Sequence, residues 1–116
     1  MAYTFKTDFL KDYPAHRTNG KMPSKAKGVA IHNAATTTDA RNLAIYGSYN
    51  SPEVSFHFAV DESYVYHNIP LDWTSWCQGT PEGNNYYWSI EIARDLDYKT
   101  DRYARAEENA AILTAK

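Results

Sequence analysis

Hydrophobic and polar residues alternate along two stretches of the chain, and this period of two predicts β-strands. In residues 54–60 and again in residues 86–93, apolar side chains occupy every second position, which places them on one face of a sheet. A shorter apolar run at 28–33 predicts a further strand that ends in a polar loop. Residues 61–63 (Asp-Glu-Ser) can turn the chain into a strand at 64–69, so a β-hairpin is predicted.

Two other stretches repeat apolar residues at helical spacing, and each predicts an amphipathic helix. Thr38 is predicted to cap the first helix, with Asp39 in its first turn, and residues 50–52 (Asn-Ser-Pro) end it. Thr100 is predicted to cap the second helix, which begins at Asp101. Each helix offers one face for packing on a sheet, formed by Ala40, Leu43, Ala44 and Gly47 in the first and by Tyr103, Ala106, Ala110 and Leu113 in the second.

The two ends of the chain lead to different expectations. Residues 1–27 hold turn residues and few apolar ones, so we expect an amino-terminal leader segment of the domain, with one helical turn within residues 5–10. Regular structure is expected to begin at Gly28. The last helix has no glycine, asparagine or basic cluster to end it. This predicts that residues 28–116 are the amino-terminal portion of a longer domain.

Composition and charge exclude several classes of protein. The chain has 116 residues, of which 43% are hydrophobic and 22% charged, as in one folded domain with a core. A net charge of −2 argues against a nucleic-acid binder. No apolar run approaches the ~20 residues of a membrane span, and the amino terminus lacks the apolar stretch of a secretory signal. The single cysteine, Cys77, cannot form an internal disulfide.

The alternation also brings candidate chemistry to one side of the predicted sheet. The apolar residues of their strands leave His32, His57 and Glu91 on the opposite, less apolar face. Two imidazoles and a carboxylate there suit metal-assisted or general acid–base chemistry. Each histidine can equally be a hydrogen-bonded structural residue, and this alternative is strongest for His16 and His67.

Other catalytic motifs are absent from the sequence. It contains no Gly-rich phosphate loop, no His-Glu-x-x-His, no Cys-x-x-Cys and no Gly-x-Ser-x-Gly. Cys77 paired with a histidine is a remaining alternative as nucleophile. The 10 tyrosines and 3 tryptophans are typical of a carbohydrate or peptide groove, but rings of this kind also fill half-exposed sheet faces.

Four short blocks of the sequence follow one another in the order and spacing of a known family. They resemble the zinc-dependent N-acetylmuramoyl-L-alanine amidases of phage endolysins and bacterial autolysins, which are relatives of peptidoglycan recognition proteins. The resemblance covers residues 28–116. The blocks are VAIHNAA at 29–35, VSFHFAVD at 54–61, IP at 69–70 with Trp76, and GNN at 83–85 leading to SIEI at 89–92.

The resemblance implies a fold and a site. The fold is α/β, with a central mixed β-sheet flanked by helices, a groove over one sheet face, and its carboxyl-terminal part missing from this chain. The resemblance implies that His32 is a zinc ligand and that Glu91 assists the attacking water. Asn33, His57 and Trp76 are expected beside the groove as substrate-binding residues. The bond cleaved is expected to be the amide between N-acetylmuramic acid and the L-alanine of the stem peptide.

This sequence departs from the family pattern in two places. The other two zinc ligands of the family follow the last helix and have no counterpart in this chain. Trp76 is followed by Cys77, where the family usually has histidine. Because a catalytic zinc needs three protein ligands and a water, we expect the chain alone to be inactive and prone to self-association. A zinc site improvised from His32, His57 and Cys77 is an alternative.

The expected protein is therefore a phage or prophage endolysin that stays in the cytoplasm until host lysis and then degrades cell-wall peptidoglycan. We expect no nucleic-acid or membrane partner. Two alternatives stay open: a non-catalytic peptidoglycan-binding module, and one half of a split amidase. Glu91 favours the enzyme, because a pure binding module has no need of a carboxylate that activates water.

Overall fold

The computed structural model describes residues 3–7, 21–49, 55–76, 81–95 and 100–115. No helix in these ranges is long and apolar enough to cross a membrane. The elements in chain order are β1 (Thr4–Thr7), β2 (Gly28–Thr37), α1 (Ala40–Tyr49), β3 (Phe58–Val60), β4 (Tyr64–His67), α2 (Pro81–Tyr86), β5 (Tyr87–Arg94) and α3 (Arg102–Thr114).

The five strands form one mixed sheet in the order β1-β4-β3-β5-β2. β3 and β4 are antiparallel, as the short turn between them requires, and β1–β4, β3–β5 and β2–β5 are parallel pairs. The predicted hairpin and the mixed sheet with flanking helices are both confirmed. β5 lies between β3 and β2, so the strand that carries Glu91 is paired on both sides.

Each face of the sheet is covered by one long helix. On the α3 face, Ala106 and Ala110 of the helix pack with Phe58, Ile90 and other apolar strand residues. On the α1 face, small residues allow close packing, and the cluster consists of Ala34, Ala40, Leu43, Ala44, Phe56, Ala59 and Ala93. Both predicted helical faces are confirmed at the residues whose burial is described, because the apolar stripe of each helix is the side turned to the sheet.

Asp61, at the corner of the β3–β4 hairpin, connects three elements. Its Oδ1 accepts hydrogen bonds from the backbone N–H of Ser63 (2.8 Å) and Tyr64 (2.6 Å). Its Oδ2 accepts from the N–H of Ala40 at the start of α1 (2.9 Å), and its carbonyl accepts from the side-chain amide of Asn109 on α3 (2.9 Å). The side chain is buried, so these bonds hold the turn against both helices.

Both predicted helix caps were wrong by one residue. Asp39, not Thr38, caps α1: its Oδ1 accepts from the N–H of Asn42 at 2.8 Å, which is the geometry of an N-cap side chain. α3 begins at Arg102 with Asp101 at the cap position and no side-chain cap bond. The hydroxyl of Thr100 donates to Asp95 at 2.9 Å and accepts only a long bond, 3.5 Å, from the Arg102 N–H.

Four further expectations about the elements were also wrong. Residues 4–7 form the edge strand β1, so regular structure starts before Gly28 and residues 5–7 are not helical; residues 8–10 of the predicted helical turn lie outside the described residues. β2 extends through the expected loop to Thr37. The residue pattern predicts a loop over 70–85, but residues 81–86 form the short helix α2. β3 begins only at Phe58, and Phe56 packs on the α1 face instead of sharing the face of Phe58.

Candidate active site

His32 and Glu91 lie side by side at the centre of the candidate site. They are register partners across the parallel β2–β5 pair, and Ala59 of β3 is the next residue in the same row. Ala59 belongs to the α1-side cluster, so all three residues point to the α1 face. Side chains at paired positions of adjacent strands stand about 5 Å apart on one face, which confirms the predicted alignment of His32 with Glu91.

The position of Glu91 changes its affinity for protons. Burial raises the pKa of this carboxyl, and the charge of the neighbouring His32 acts in the opposite direction. Desolvation disfavours the ionised form of an acid, whereas a cation nearby favours it. A carboxylate with a raised pKa beside a half-buried imidazole is suited to accept a proton from water near neutral pH.

The described residues provide one part of a metal site. Among them, no group of three histidine, cysteine, aspartate or glutamate side chains is arranged to hold a metal ion. The half-buried imidazole of His32 fits one position of a tetrahedral zinc site. The alternative site with His57 and Cys77 does not fit: both ring nitrogens of His57 are engaged in hydrogen bonds, and Cys77 lies outside the described residues, as does His16.

His57 is fully buried beneath the loop that precedes α2. Its Nδ1 accepts from the backbone N–H of Ser89 at 3.0 Å, and its Nε2 lies 2.7 Å from the carbonyl oxygen of Trp73. Burial lowers the pKa of the ring from 6.5 to about 4; the bond to Trp73 opposes this shift and the charge of His67 adds to it. The ring is therefore neutral near pH 7 and reaches no solvent from this position.

Residues 73–76, the wall segment, contact the α1 face of the sheet at Ser89. The hydroxyl of Ser75 is 2.9 Å from that of Ser89, which shares this face two residues before Glu91. The segment is further held by Ser55, which exchanges bonds with Trp76: the Trp76 N–H donates to the Ser55 hydroxyl (2.9 Å), and the Ser55 N–H donates to the Trp76 carbonyl (3.1 Å). Both bonds hold the backbone of Trp76, whose side chain is half-buried.

Asn33 lies on the other side of the sheet. It follows His32 in β2, and strand alternation turns its side chain to the α3 face. There its amide donates to the hydroxyl of Tyr103 on α3 at 2.6 Å. The structure therefore brings His32, Glu91 and the wall segment together, with His57 beneath, and does not bring Asn33 to them.

A cavity of about 480 Å³ lies on the α3 face. Its lining is apolar and aromatic, and His67 in this lining stacks on Phe58 with ring centroids 4.5 Å apart. Burial lowers the pKa of His67, and its backbone bond to Ile69 opposes the shift. Because the sheet separates this cavity from His32 and Glu91, it does not belong to the candidate site.

Sequence reasoning missed Ser89 and the Trp73 carbonyl as partners of His57. Ser89 could have been found from the sequence, because it has the strand parity of Glu91 and lies with it in the block SIEI at 89–92. The Trp73 carbonyl could not have been predicted as a partner of His57, because every residue type has a backbone carbonyl. Only the path of the loop brings this carbonyl to the ring.

Comparisons with known proteins place this geometry in a family context. The family model described as N-acetylmuramoyl-L-alanine amidase matches residues 22–116. The N-acetylmuramoyl-L-alanine amidase CwlA of Bacillus subtilis (strain 168) is 41% identical over 97 residues, covering 81% of this chain and 35% of CwlA. The amidase CwlH of the same strain is 30% identical over 120 residues, covering 97% of this chain and 46% of CwlH.

Solved structures agree in fold. The structure of PlyL superimposes with a TM-score of 0.80 at 30% identity, covering 95% of this chain and 69% of that one. The catalytic domain of XlyA gives a TM-score of 0.79 at 29% identity, with 95% and 72% covered. The chain spans less than half the length of the two curated relatives and about 70% of these two solved chains.

Proposed function

Because this chain belongs to the N-acetylmuramoyl-L-alanine amidase family, we propose that it contributes His32 and Glu91 to the active site of a peptidoglycan amidase. The bond cleaved is the amide between N-acetylmuramic acid and L-alanine of the stem peptide. The observation that carries this proposal is the pairing of His32 with Glu91 on adjacent parallel strands. It supplies an imidazole for a metal and a carboxylate for water on one face of a rigid sheet.

In this proposal the two side chains have separate roles. The family is generally zinc-dependent, and His32 would provide one of the ligands. Zinc, when bound, polarises the substrate carbonyl and lowers the pKa of water. Glu91 accepts the proton of the attacking water and can pass it to the leaving amine of L-alanine. Its raised pKa supports this role, because a base that holds a proton too weakly cannot carry it to the leaving group.

The wall segment is the proposed side of the substrate groove. Its residue Ser75 contacts Ser89 on the face that carries the two reactive groups. The segment ends at the half-buried Trp76, and tryptophan rings commonly contact sugars and peptides. We propose peptidoglycan as the macromolecular partner and the bacterial cell wall as the place of action, with the protein acting as an endolysin. Glu91 favours an enzyme over a non-catalytic wall-binding module, since binding alone needs no partly buried carboxylate.

The proposed function is tested by release of amino groups from purified cell walls by the full-length protein with zinc. Glu91→Gln is expected to lose on the order of 10²-fold or more in rate while still binding walls, as expected for a general base. The matched control is Glu108→Gln on α3, where the side chain is exposed and no change is expected. Equal rates for Glu91→Gln and the wild type would remove Glu91 from the mechanism.

A further inference from the structure

We propose that His57 is a positioning residue of the candidate active site: its neutral ring, protonated on Nε2, joins the Trp73 carbonyl to the Ser89 amide and thereby sets the position of Glu91 relative to the wall segment. This inference rests on the proposed role of Glu91. It differs from direct contact with substrate, because the His57 side chain is fully buried.

The hydrogen bonds of His57 allow only one protonation state. The Ser89 N–H, 3.0 Å from Nδ1, can only donate, so Nδ1 must be the acceptor. The Ser89 hydroxyl, 3.3 Å from the same nitrogen, can donate to it as well. The Trp73 carbonyl, 2.7 Å from Nε2, can only accept, so Nε2 must carry the proton. The two contacts independently require the same neutral tautomer. A doubly protonated ring would set two donors, Nδ1–H and the Ser89 N–H, against each other.

The Ser89 end of this link acts on β5. β3 pairs with β5 only from Phe58 and Ile90 onward, so Ser89 lies just outside that strand pairing. Here Nδ1 of His57 accepts a hydrogen bond from the N–H of Ser89, and the backbone N–H of His57 donates to the Ser89 carbonyl at 3.1 Å. Glu91 is the next residue of β5 on the same face. Movement of Ser89 is therefore transmitted directly to Glu91.

The Trp73 end acts on the wall segment. The bond from Nε2 holds the carbonyl at the beginning of the segment, and Ser75 contacts the hydroxyl of Ser89 at 2.9 Å. Ser89 is thus connected to the wall segment twice, through the His57 ring to Trp73 and through its hydroxyl to Ser75. The ring of His57, together with the Ser75–Ser89 contact, then sets the position of Ser89 relative to the segment that carries Trp76.

His67 provides a matched control for a merely structural histidine. It lies on β4 of the same hairpin, pairs with Phe58 in register, and stacks on that ring on the α3 face. Replacing it removes a half-buried imidazole from the same hairpin but leaves the bonds to Ser89 and Trp73 in place. General loss of stability and loss of positioning can therefore be separated.

The first test is the tautomer of His57 in the wild-type chain, measured by long-range ¹H–¹⁵N correlation spectra with labelled histidine. A neutral ring with the proton on Nε2 is expected near neutral pH. A proton on Nδ1, or a doubly protonated ring, would overturn the proposal. This measurement requires no variant and no turnover.

The second test compares three variants by NMR at one pH. His57→Phe keeps the ring volume and loses both bonds, His57→Gln keeps a donor for the Trp73 carbonyl, and His67→Gln is the control. Both His57 variants are expected to speed amide exchange of Ser89 at least about tenfold and to shift the ¹³C resonance of the Glu91 carboxyl. An unmoved Glu91 resonance in both, or an equal shift in His67→Gln, contradicts the proposal.

The third test is kinetic and uses the full-length protein. Misplacement of a catalytic group costs on the order of 10²-fold, so His57→Phe is expected to lower kcat by that order with little change in KM, and His57→Gln to recover part of the loss. An unchanged kcat in a folded His57→Phe variant would refute positioning. A wild-type protein without amidase activity would refute the proposed function instead, and the NMR tests would still decide the role of His57.

Discussion

His32 and Glu91 are register partners on two parallel strands, β2 and β5, and their side chains share the α1 face of the sheet. Their separation is therefore a property of the backbone ladder and does not depend on the conformation of a loop. β5 is hydrogen-bonded on both sides, so the carboxylate stands on an interior strand of the sheet. A catalytic pair benefits from this placement, since sites on strands are held more accurately than sites on loops.

The first prediction concerns the stability of the metal-free chain. Burial raises the pKa of Glu91, so the folded chain keeps a proton that the unfolded chain releases as pH rises, and stability falls through that window. Glu91→Gln removes this cost. We expect a higher thermal midpoint than the wild type at about pH 7, and little difference at about pH 3, where Glu91 is protonated in both the folded and the unfolded wild type. A lower midpoint for the variant at about pH 7 would contradict the assignment.

The second prediction concerns His57 and acid. Its folded-state pKa of about 4 lies below the ordinary 6.5, so the unfolded chain binds the proton first as pH falls. The stability linked to His57 is fully present above about pH 6.5 and is lost as pH falls towards about 4, by at most about 3 kcal/mol. Urea unfolding across this range should show a steeper loss for the wild type than for His57→Gln. Parallel curves would exclude a depressed pKa.

The third prediction concerns the Asp61 corner. Asp61→Ala leaves the N–H groups of Ala40, Ser63 and Tyr64 without their acceptor, and an expected loss of about 2–4 kcal/mol follows from orphaned donors of a charge-assisted network. Asp72→Ala is the control, because Asp72 is exposed in its ion pair with Lys21, and it should cost less than about 1 kcal/mol. Urea midpoints measure both. Similar losses of stability in the two variants would show that the buried hydrogen bonds of Asp61 contribute no more than an exposed ion pair.

The fourth prediction concerns substrate binding by Trp76. Trp76→Ala is expected to weaken the binding of a muramyl-peptide, because Trp76 belongs to the wall segment, which contacts β5 at Ser89, two residues before Glu91. Quenching or enhancement of tryptophan fluorescence on titration reports binding by the wild type, and calorimetry compares the two proteins. An equal affinity would assign Trp76 to packing alone.

The fifth prediction concerns zinc. The described residues hold no group of three potential ligands around His32. We therefore expect the 116-residue chain to bind zinc far more weakly than a structural zinc site does, for which the binding free energy is about 10–16 kcal/mol. Equilibrium dialysis of the wild type and His32→Ala measures this, and the variant should lose most of the remaining binding. Tight, stoichiometric binding by the wild type would contradict the prediction.

Strand parity was sufficient to predict which residues share a face where the strands are regular. Val29, Ile90 and Ile92 contact the α3-side cluster, and His32 and Glu91 consequently face the other way. Strand parity gave the wrong face for Phe56, because a strand pattern in sequence does not say where pairing begins. β3 begins at Phe58, so Phe56 departs from the face that its spacing predicts.

The caps show a second limit of local reasoning. Thr38 and Asp39 are both good N-cap residues, and the sequence does not rank them. The tertiary structure selects Asp39. The N–H of Ala40 donates to Asp61, and the N–H of Asn42 donates to Asp39, which therefore caps α1. Residues 4–7 are likewise too short to predict as a strand, and only β4 beside them completes their hydrogen bonds.

By itself the sequence determined the family, the mixed sheet with its two packed helices, and the common face of His32 and Glu91, because alternation and motif spacing are properties of neighbours along the chain. The tertiary structure alone decided the register that sets His32 beside Glu91, the turn of Asn33 toward Tyr103, and the burial of His57 between Ser89 and Trp73. These relationships join residues up to 70 positions apart. They depend on which donors and acceptors come into contact once the sheet has formed, and a local sequence pattern does not specify contacts between distant residues.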